Sequence, residues 1–278
     1  MISATTRVAA VIGDPVRHSL SPRLHNAAYR ALGLDWVLVA FEVGDGGAPA
    51  ALAAARALDL VGYAVTMPLK TAIATLCDEL SPDAAALQSV NTVTVLPDGR
   101  VAGDSTDGAG FLRSLAEAGV EPRGRSVLVL GAGGAARAVV RSLGVAGAHV
   151  VVAARNQGAA SQAAALAGGA AISWGDRAAS AAASDIVVNA TPLGMAGLPA
   201  DPGVLGAEVL SPSHAVVDLV YHPVDTVLLR TAREQGARAV SGLGMLVHQA
   251  ALQVERWTGQ PAPLAAMQAA LTPDGTEL

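Results

Sequence analysis

The joint at residues 127–136 constrains the fold more than any other stretch of this chain. Val127-Leu128-Val129-Leu130 is a short apolar run of strand type, and it passes directly into Gly131-Ala132-Gly133-Gly134-Ala135-Ala136. The pattern is G-x-G-x-x-A, placed after a strand and opening a helix. The first glycine permits a tight turn, the second lets a pyrophosphate approach the backbone, and the small third residue lets helix and strand pack closely. A helix starting there offers free N–H groups and the positive end of its dipole to phosphate. The expectation is a parallel sheet covered by helices, with a dinucleotide at this turn.

The flanking sequence repeats the strand–helix alternation. Before the joint, Val8–Ile12, Val37–Val43, Leu60–Val65 and Val90–Leu96 read as strands, with helical patterns at Pro22–Leu32, Ala48–Leu58, Pro68–Leu76 and Pro82–Gln88. Pro22, Pro68 and Pro82 each fall where a first helical turn would begin, and Ser21 and Ser81 precede two of them as N-caps. Asp107–Ala118 reads as a helix running into a turn-rich linker, Gly119–Gly124. Then come strands Val127–Leu130, His149–Ala153, Ala170–Ser173, Ile186–Asn189 and Ala215–Leu219, and helices Gly133–Leu143, Gly158–Ala167 and Asp225–Gln235. Leu243–Trp257 and Pro263–Leu271 are late helices with no strand after them. The fold class is α/β, and 278 residues suffice for two moderate domains.

Composition narrows the function classes. Hydrophobic residues make up 52% but aromatics only 3%, and no apolar run reaches the roughly 18 residues of a spanning helix, so no membrane association is expected. The N-terminus has no basic region followed by a long apolar core, so no signal peptide is expected. The net charge is −5 with no basic run, which argues against a nucleic-acid partner. The single cysteine, Cys77, excludes an internal disulfide, suits a reducing cytoplasm, and reads as a small buried hydrophobe. The six histidines are dispersed. His18, His25, His222 and His248 lack ligand spacing and read as polar framework, so no metal is expected.

Lys70 is the one lysine among 18 Lys and Arg residues. An arginine stays protonated, whereas a lysine amine can exchange a proton when its surroundings shift its pKa. Lys70 is therefore a candidate acid/base group. It follows Thr66-Met67-Pro68-Leu69 on the first turn of a helix. Ser19-Leu20-Ser21-Pro22 places two hydroxyls at alternate positions near another helix start, where they could meet an anion; capping explains Ser21 but not Ser19. Asn91-Thr92 sits in a strand. Asp104-Ser105-Thr106-Asp107 opens a helix, where Asp107 either favours the helix dipole or pairs with Lys70. On the cofactor side, NAD binding calls for an acid at the end of the second strand, roughly 20 residues on. None occurs from Gly131 to Gly175, and Arg155-Asn156 stands there instead, which favours a 2′-phosphate and hence NADP(H).

These motifs, with Gly103-Asp104-Ser105-Thr106-Asp107-Gly108, Asn189-Ala190-Thr191-Pro192 and Gly242-Leu243-Gly244-Met245-Leu246-Val247-His248-Gln249-Ala250, follow one another in an order that closely resembles the shikimate dehydrogenase family over essentially the whole chain. The resemblance implies a discontinuous substrate-binding domain, 1–106 plus 241–278, and a Rossmann-type NADP-binding domain, 107–240. It implies reversible NADPH-dependent reduction of 3-dehydroshikimate to shikimate, a precursor of aromatic amino acids, by a monomer or homodimer. Lys70 and Asp107 match the catalytic pair. Ser19, Ser21, Thr66 and Tyr221 match the positions that hold the substrate carboxylate, and Asn91, Asp107 and Gln249 those that hold its hydroxyls. Gly131, Ala132, Gly133, Gly134, Ala135, Arg155, Asn156 and Thr191 match cofactor positions; Gly242 and Met245 match the nicotinamide wall, with Leu219 beside it.

The chain departs from the family pattern at Ala64 and Ser105, where many members have Asn, and at Ala159, where a second Arg often binds the adenosine phosphate. The alternatives are a quinate/shikimate or aminoshikimate dehydrogenase paralogue, an inactive binding protein on the same fold, and a methylene-tetrahydrofolate-type dehydrogenase. The paired serines lean towards shikimate, the missing ribose acid leans away from NAD-dependent quinate oxidation, and the intact Lys70/Asp107 pair argues against an idle protein. Hinge motion is expected about Asp104–Asp107 and Ser241–Gly244, where the chain would cross between domains.

Overall fold

The computed structural model describes residues 2–197 and 204–271. The chain divides into two compact units, Met1–Thr106 with Gln249–Leu278, and Asp107–His248. The first unit runs β1 (Arg7–Gly13), α1 (Ser21–Ala31), β2 (Trp36–Glu42), α2 (Ala48–Ala57), β3 (Gly62–Val65), α3 (Lys70–Leu76), β4 (Glu79–Leu80), α4 (Pro82–Leu87), β5 (Thr92–Val95) and β6 (Val101–Asp104). Its sheet has the order β2-β1-β3-β5-β6-β4. β1 pairs parallel with β2 and β3, and β4 with β6, while β5 runs antiparallel to β3 and β6. One face of the sheet buries Ala10, Ile12, Tyr63, Val65, Val93 and Val101 against α2, α3 and α4. On α1, the helical spacing of Leu24, His25, Ala28 and Tyr29 turns these residues into the protein, and all are 0–1% exposed.

The second unit contains α5 (Asp107–Glu117), β7 (Ser126–Leu130), α6 (Gly134–Val145), β8 (His149–Ala154), α7 (Gln157–Ala165), β9 (Ala170–Ser173), α8 (Arg177–Ala182), β10 (Ile186–Asn189), β11 (Ala215–Asp218), α9 (Val227–Glu234) and β12 (Arg238–Ser241). Two last helices follow, α10 (Gly242–Thr258) and α11 (Leu264–Ala269). Every strand pair in this sheet is parallel, in the order β12-β11-β10-β7-β8-β9. Alternate residues of each strand enter opposite cores. Val127, Val129, Val150, Val152 and Val188 face α5, α6 and α7, while Leu128, Leu130, Ala153, Val187 and Val216 face α8 and α9. Both faces are covered, which is why these strands read as unbroken apolar runs. Each buried Val or Leu contributes about 1.5–3 kcal/mol relative to exposure, so this double core dominates the unit's stability.

Several local expectations change. The helix at 68–76 begins instead at Lys70. Pro68, in a cis peptide with Met67, lies in a turn closed by Leu69 N–H to Thr66 O at 3.1 Å. Ser21 is the first helical residue and Leu20 the N-cap, whereas Ser81 does cap α4, accepting from Ala84 N–H. The turn-rich linker 119–124 joins α5 to β7 within the second unit, where α5 packs on α6 and puts Phe111 and Leu115 in the core. The second crossing falls at 248/249 rather than near 241. α10 continues unbroken from the end of β12, and its first two turns stay with the second unit through Gly244 against Ser114 and His248 Nε2 to Glu117 Oε2 at 2.8 Å. β4, β6, β12 and α8 are additional to the elements expected from the sequence. Cys77 is half-buried beside the first core, and burial pushes its thiol up to about 11. No helix among the described residues is long and apolar enough to cross a membrane.

Candidate active site

In a doubly wound sheet of order 3-2-1-4-5-6, the binding crevice opens where the strand order reverses, at the carboxyl ends of the first and fourth strands. Here these are β7 and β10. Gly131 leaves β7 with φ +109°, a conformation that glycine adopts without a side-chain clash. A Cβ there would stand 2.8 Å from Ala190 O, in the loop leaving β10, so the absence of a side chain also lets the two loops approach. Gly133 caps α6, and a Cβ on Gly133 or Gly134 would meet nothing within 4 Å. Gly133, Gly134 and Ala135 are exposed. The N–H groups of this first helical turn therefore face open space, which fits an anion such as a pyrophosphate. Arg155 and Asn156 are exposed just past β8, and Asn156 Oδ1 accepts from Ala159 N–H at 3.0 Å to cap α7.

The loops after β10 and β11 are fixed by one buried network. Asn189 Oδ1 accepts from Thr191 N–H at 3.1 Å and Thr191 Oγ1 at 2.6 Å. Its Nδ2 donates to Asp218 Oδ1 at 2.9 Å and Leu193 O at 3.2 Å. Asp218 is 0% exposed and also accepts from Val220 N–H at 3.1 Å and Thr226 Oγ1 at 2.7 Å. Burial outweighs these donors and raises its carboxyl above the usual range. The network sets the paths of Thr191, Leu219 and Tyr221. Burial likewise raises the Tyr221 phenol. Gly242 opens α10 against the end of β11, where a Cβ would stand 2.5 Å from Leu219 O, and Met245 packs on the same core.

In the first unit the loops leaving β1 and β3 are tied together. Asp14 N–H donates to Met67 O at 2.8 Å and Thr66 N–H to Ile12 O at 2.9 Å. The β1 loop carries Ser19 and Ser21; Ser21 N–H donates to Ser19 Oγ at 3.2 Å. The β3 loop carries Thr66 and leads into Lys70, which is half-buried at the start of α3. Asn91, 3% exposed, donates Nδ2 to Thr106 Oγ1 at 2.9 Å and accepts at Oδ1 from Thr106 N–H at 2.8 Å and Thr92 Oγ1 at 2.8 Å. Gln249, 9% exposed, lies on α10. Asp104 pairs with Arg256 and accepts from Ser81 Oγ, which fixes the end of β6 just before Thr106 and Asp107.

Sequence reasoning missed the supporting residues. Asp218 gave only the faint signal of an acid interrupting the apolar β11 run. His25 reads from the sequence as polar framework, and the structure agrees. It is 0% exposed, with Nδ1 at 2.9 Å from Ser21 O and its ring 5.5 Å from that of Trp257. Gln253 and Trp257 repeat Gln249 at helical spacing, which is the one sequence signal that marks them. Among the described residues no group of three His, Cys, Asp or Glu side chains could hold a metal ion.

A model of the shikimate dehydrogenase substrate binding domain matches residues 11–93, and one of the shikimate 5′-dehydrogenase C-terminal domain matches residues 242–272. The shikimate dehydrogenase (NADP(+)) of Methanopyrus kandleri is 41% identical over 280 residues, covering 97% of this chain and 96% of that protein. Shikimate 5-dehydrogenase from Listeria monocytogenes, solved with shikimate and NAD, superposes with a TM-score of 0.92 at 36% identity, covering 98% of each chain. The Thermus thermophilus enzyme, solved with NADP(H) and shikimate, gives 0.87 at 38% identity, over 95% of this chain and 98% of that one. The likeness runs through both units, and this chain belongs to the shikimate dehydrogenase family.

Proposed function

We propose that Lys70 and Asp107 catalyse the reversible reduction of 3-dehydroshikimate to shikimate with NADPH. The chain is an oxidoreductase, an NADP-dependent shikimate dehydrogenase. One observation supports this assignment of residues above the others. Val90 N–H donates to Lys70 O at 3.0 Å, and the next residue, Asn91, holds Thr106 through its side chain. Asp107 follows Thr106 directly. Within the first unit Lys70 and Asn91 are thus held close together, and Asn91 ties down the residue that precedes Asp107 in the chain.

Ser19, Ser21, Thr66 and Tyr221 hold the substrate carboxylate, and Asn91, Asp107 and Gln249 its hydroxyls. NADP(H) fits the second unit: Gly131 to Ala135 receive the pyrophosphate, Arg155 and Asn156 the 2′-phosphate, and Thr191, Leu219, Gly242 and Met245 the nicotinamide. When bound, NADPH supplies the hydride. Reduction of a ketone leaves an alkoxide that must be protonated as it forms. Lys70 Nζ delivers that proton, and the Asp107 carboxylate orients the ammonium. In the oxidative direction Lys70 takes the proton back from the hydroxyl. The single cysteine accords with a reducing, cytoplasmic setting.

The test measures NADP+ and NAD+ reduction with shikimate, quinate and aminoshikimate in parallel, for the native chain, Lys70→Ala and Lys70→Arg. The native chain should prefer shikimate with NADP+. Both variants should lose about two orders of magnitude or more in turnover while still binding NADPH. Near-normal turnover in folded Lys70→Ala would refute the assignment.

A further inference from the structure

Gln253 is 1% exposed, on the face of α10 that also carries Gln249 and Trp257 at four-residue spacing. Burying an amide in a core position that an apolar side chain could fill is costly unless its groups are bonded. Gln253 Nε2 donates to Asn91 O at 3.2 Å and to Thr92 Oγ1 at 3.0 Å, while its Oε1 is buried without a hydrogen-bond partner among the described residues, so the two donated bonds carry the contact. Thr92 Oγ1 in turn donates to Asn91 Oδ1. One turn further, Trp257 Nε1 donates to Val93 O at 3.1 Å. Two side chains of α10 therefore grip three consecutive residues, Asn91, Thr92 and Val93. This grip sets the register of α10 along β5. A one-residue slip would move the helix by about 1.5 Å and break both contacts.

The consequence falls on the substrate. Asn91 and Gln249 hold its hydroxyls in the reading above. Gln253 sits one turn from Gln249 and bonds the backbone of Asn91 directly. We propose that Gln253 is a positioning residue, which touches no substrate but fixes Gln249 and Asn91 relative to each other and so sets the affinity for the substrate hydroxyls. The proposal rests on the assignment of Asn91 and Gln249 to the substrate.

Steady-state kinetics of the full chain with shikimate and NADP+ test it, using Gln253→Met, Thr92→Val, their double variant and Gln249→Ala. Circular dichroism checks folding. Gln253→Met keeps the length and removes both donors. It should raise the KM for shikimate about tenfold, with kcat within about threefold and the KM for NADP+ within about twofold. Thr92→Val should shift the same parameter by less. The double variant should be no worse than Gln253→Met, because both act through one contact. An unchanged shikimate KM in Gln253→Met, beside a raised one in Gln249→Ala, overturns this inference alone. An unchanged KM in Gln249→Ala overturns the substrate assignment and this inference with it. Equal rises in both KM values, or multiplicative effects in the double variant, show general loosening and also overturn it. If Gln253→Met fails to fold, Thr92→Val decides by the same KM comparison.

Discussion

Replacing Asp218 by alanine and by asparagine separates two explanations of the β10–β11 loops. The carboxylate accepts three hydrogen bonds in a site closed to solvent. In Asp218→Ala, Asn189 Nδ2 keeps Leu193 O and the Thr226 hydroxyl can turn elsewhere, so each lost bond costs about 1 kcal/mol. Val220 N–H is left buried without a partner, at about 1–3 kcal/mol. Relief from burying a carboxylate offsets part of this sum, and the net loss is about 3 kcal/mol. In Asp218→Asn the amide oxygen keeps Asn189 and Val220, and Thr226 Oγ1, which already accepts from Leu229 N–H, can accept from the new amide. That variant should stay within about 1 kcal/mol of the native protein. The assay is urea unfolding followed by far-UV circular dichroism, with the KM for NADP+ as second readout, because the network shapes the loops of Thr191 and Leu219. Equal losses in the two variants would refute the reasoning, since shape and not hydrogen bonding would then hold the loops. The pH dependence has a definite sign. A carboxyl whose folded pKa is raised lends stability that is full below its unfolded value near 3.8 and lost as pH rises through the folded value. The native protein should therefore gain on Asp218→Asn as pH falls towards 3.8.

The remaining predictions concern the cofactor, a buried histidine, the proton donor and the α10 register. Arg155→Ser should raise the KM for NADP+ about 10- to 100-fold, the value of one charged contact to the 2′-phosphate, and leave that for NAD+ nearly unchanged; equal effects on both would remove Arg155 from the 2′-phosphate. Burial lowers His25 from 6.5 to about 4. The unfolded chain thus binds more protons between these values, so stability should fall as pH drops from 6.5 to about 4, by up to roughly 3 kcal/mol. His25→Leu should flatten that slope in urea titrations, and an unchanged slope would assign it to other groups. Lys70→Ala should abolish most turnover without loss of NADPH fluorescence binding. Gln253→Met should separate the shikimate KM from that of NADP+.

Local rules carried the strand–turn–helix joint at Gly131, the covered parallel sheet and the arginine past β8, because turn geometry, apolar periodicity and the fingerprint spacing each involve only a few neighbouring residues. The edge strands escaped. Glu79–Leu80 is two residues long, and Arg238–Ser241 mixes polar and apolar side chains, so pairing alone defines them. The point at which the chain returns to the first unit also leaves no local mark, because α10 keeps one helical pattern while its partners change from Ser114 and Glu117 to Asn91 and Val93. The residue types able to do the chemistry are legible along the chain: one amine, paired hydroxyls, and a glycine turn. What holds those groups in place emerges on folding. Gln253 meets Asn91 across 162 positions, and Asp218 meets Asn189 across 29. Contacts between residues so far apart leave no local trace, because burial and partner geometry exist only once the chain has folded.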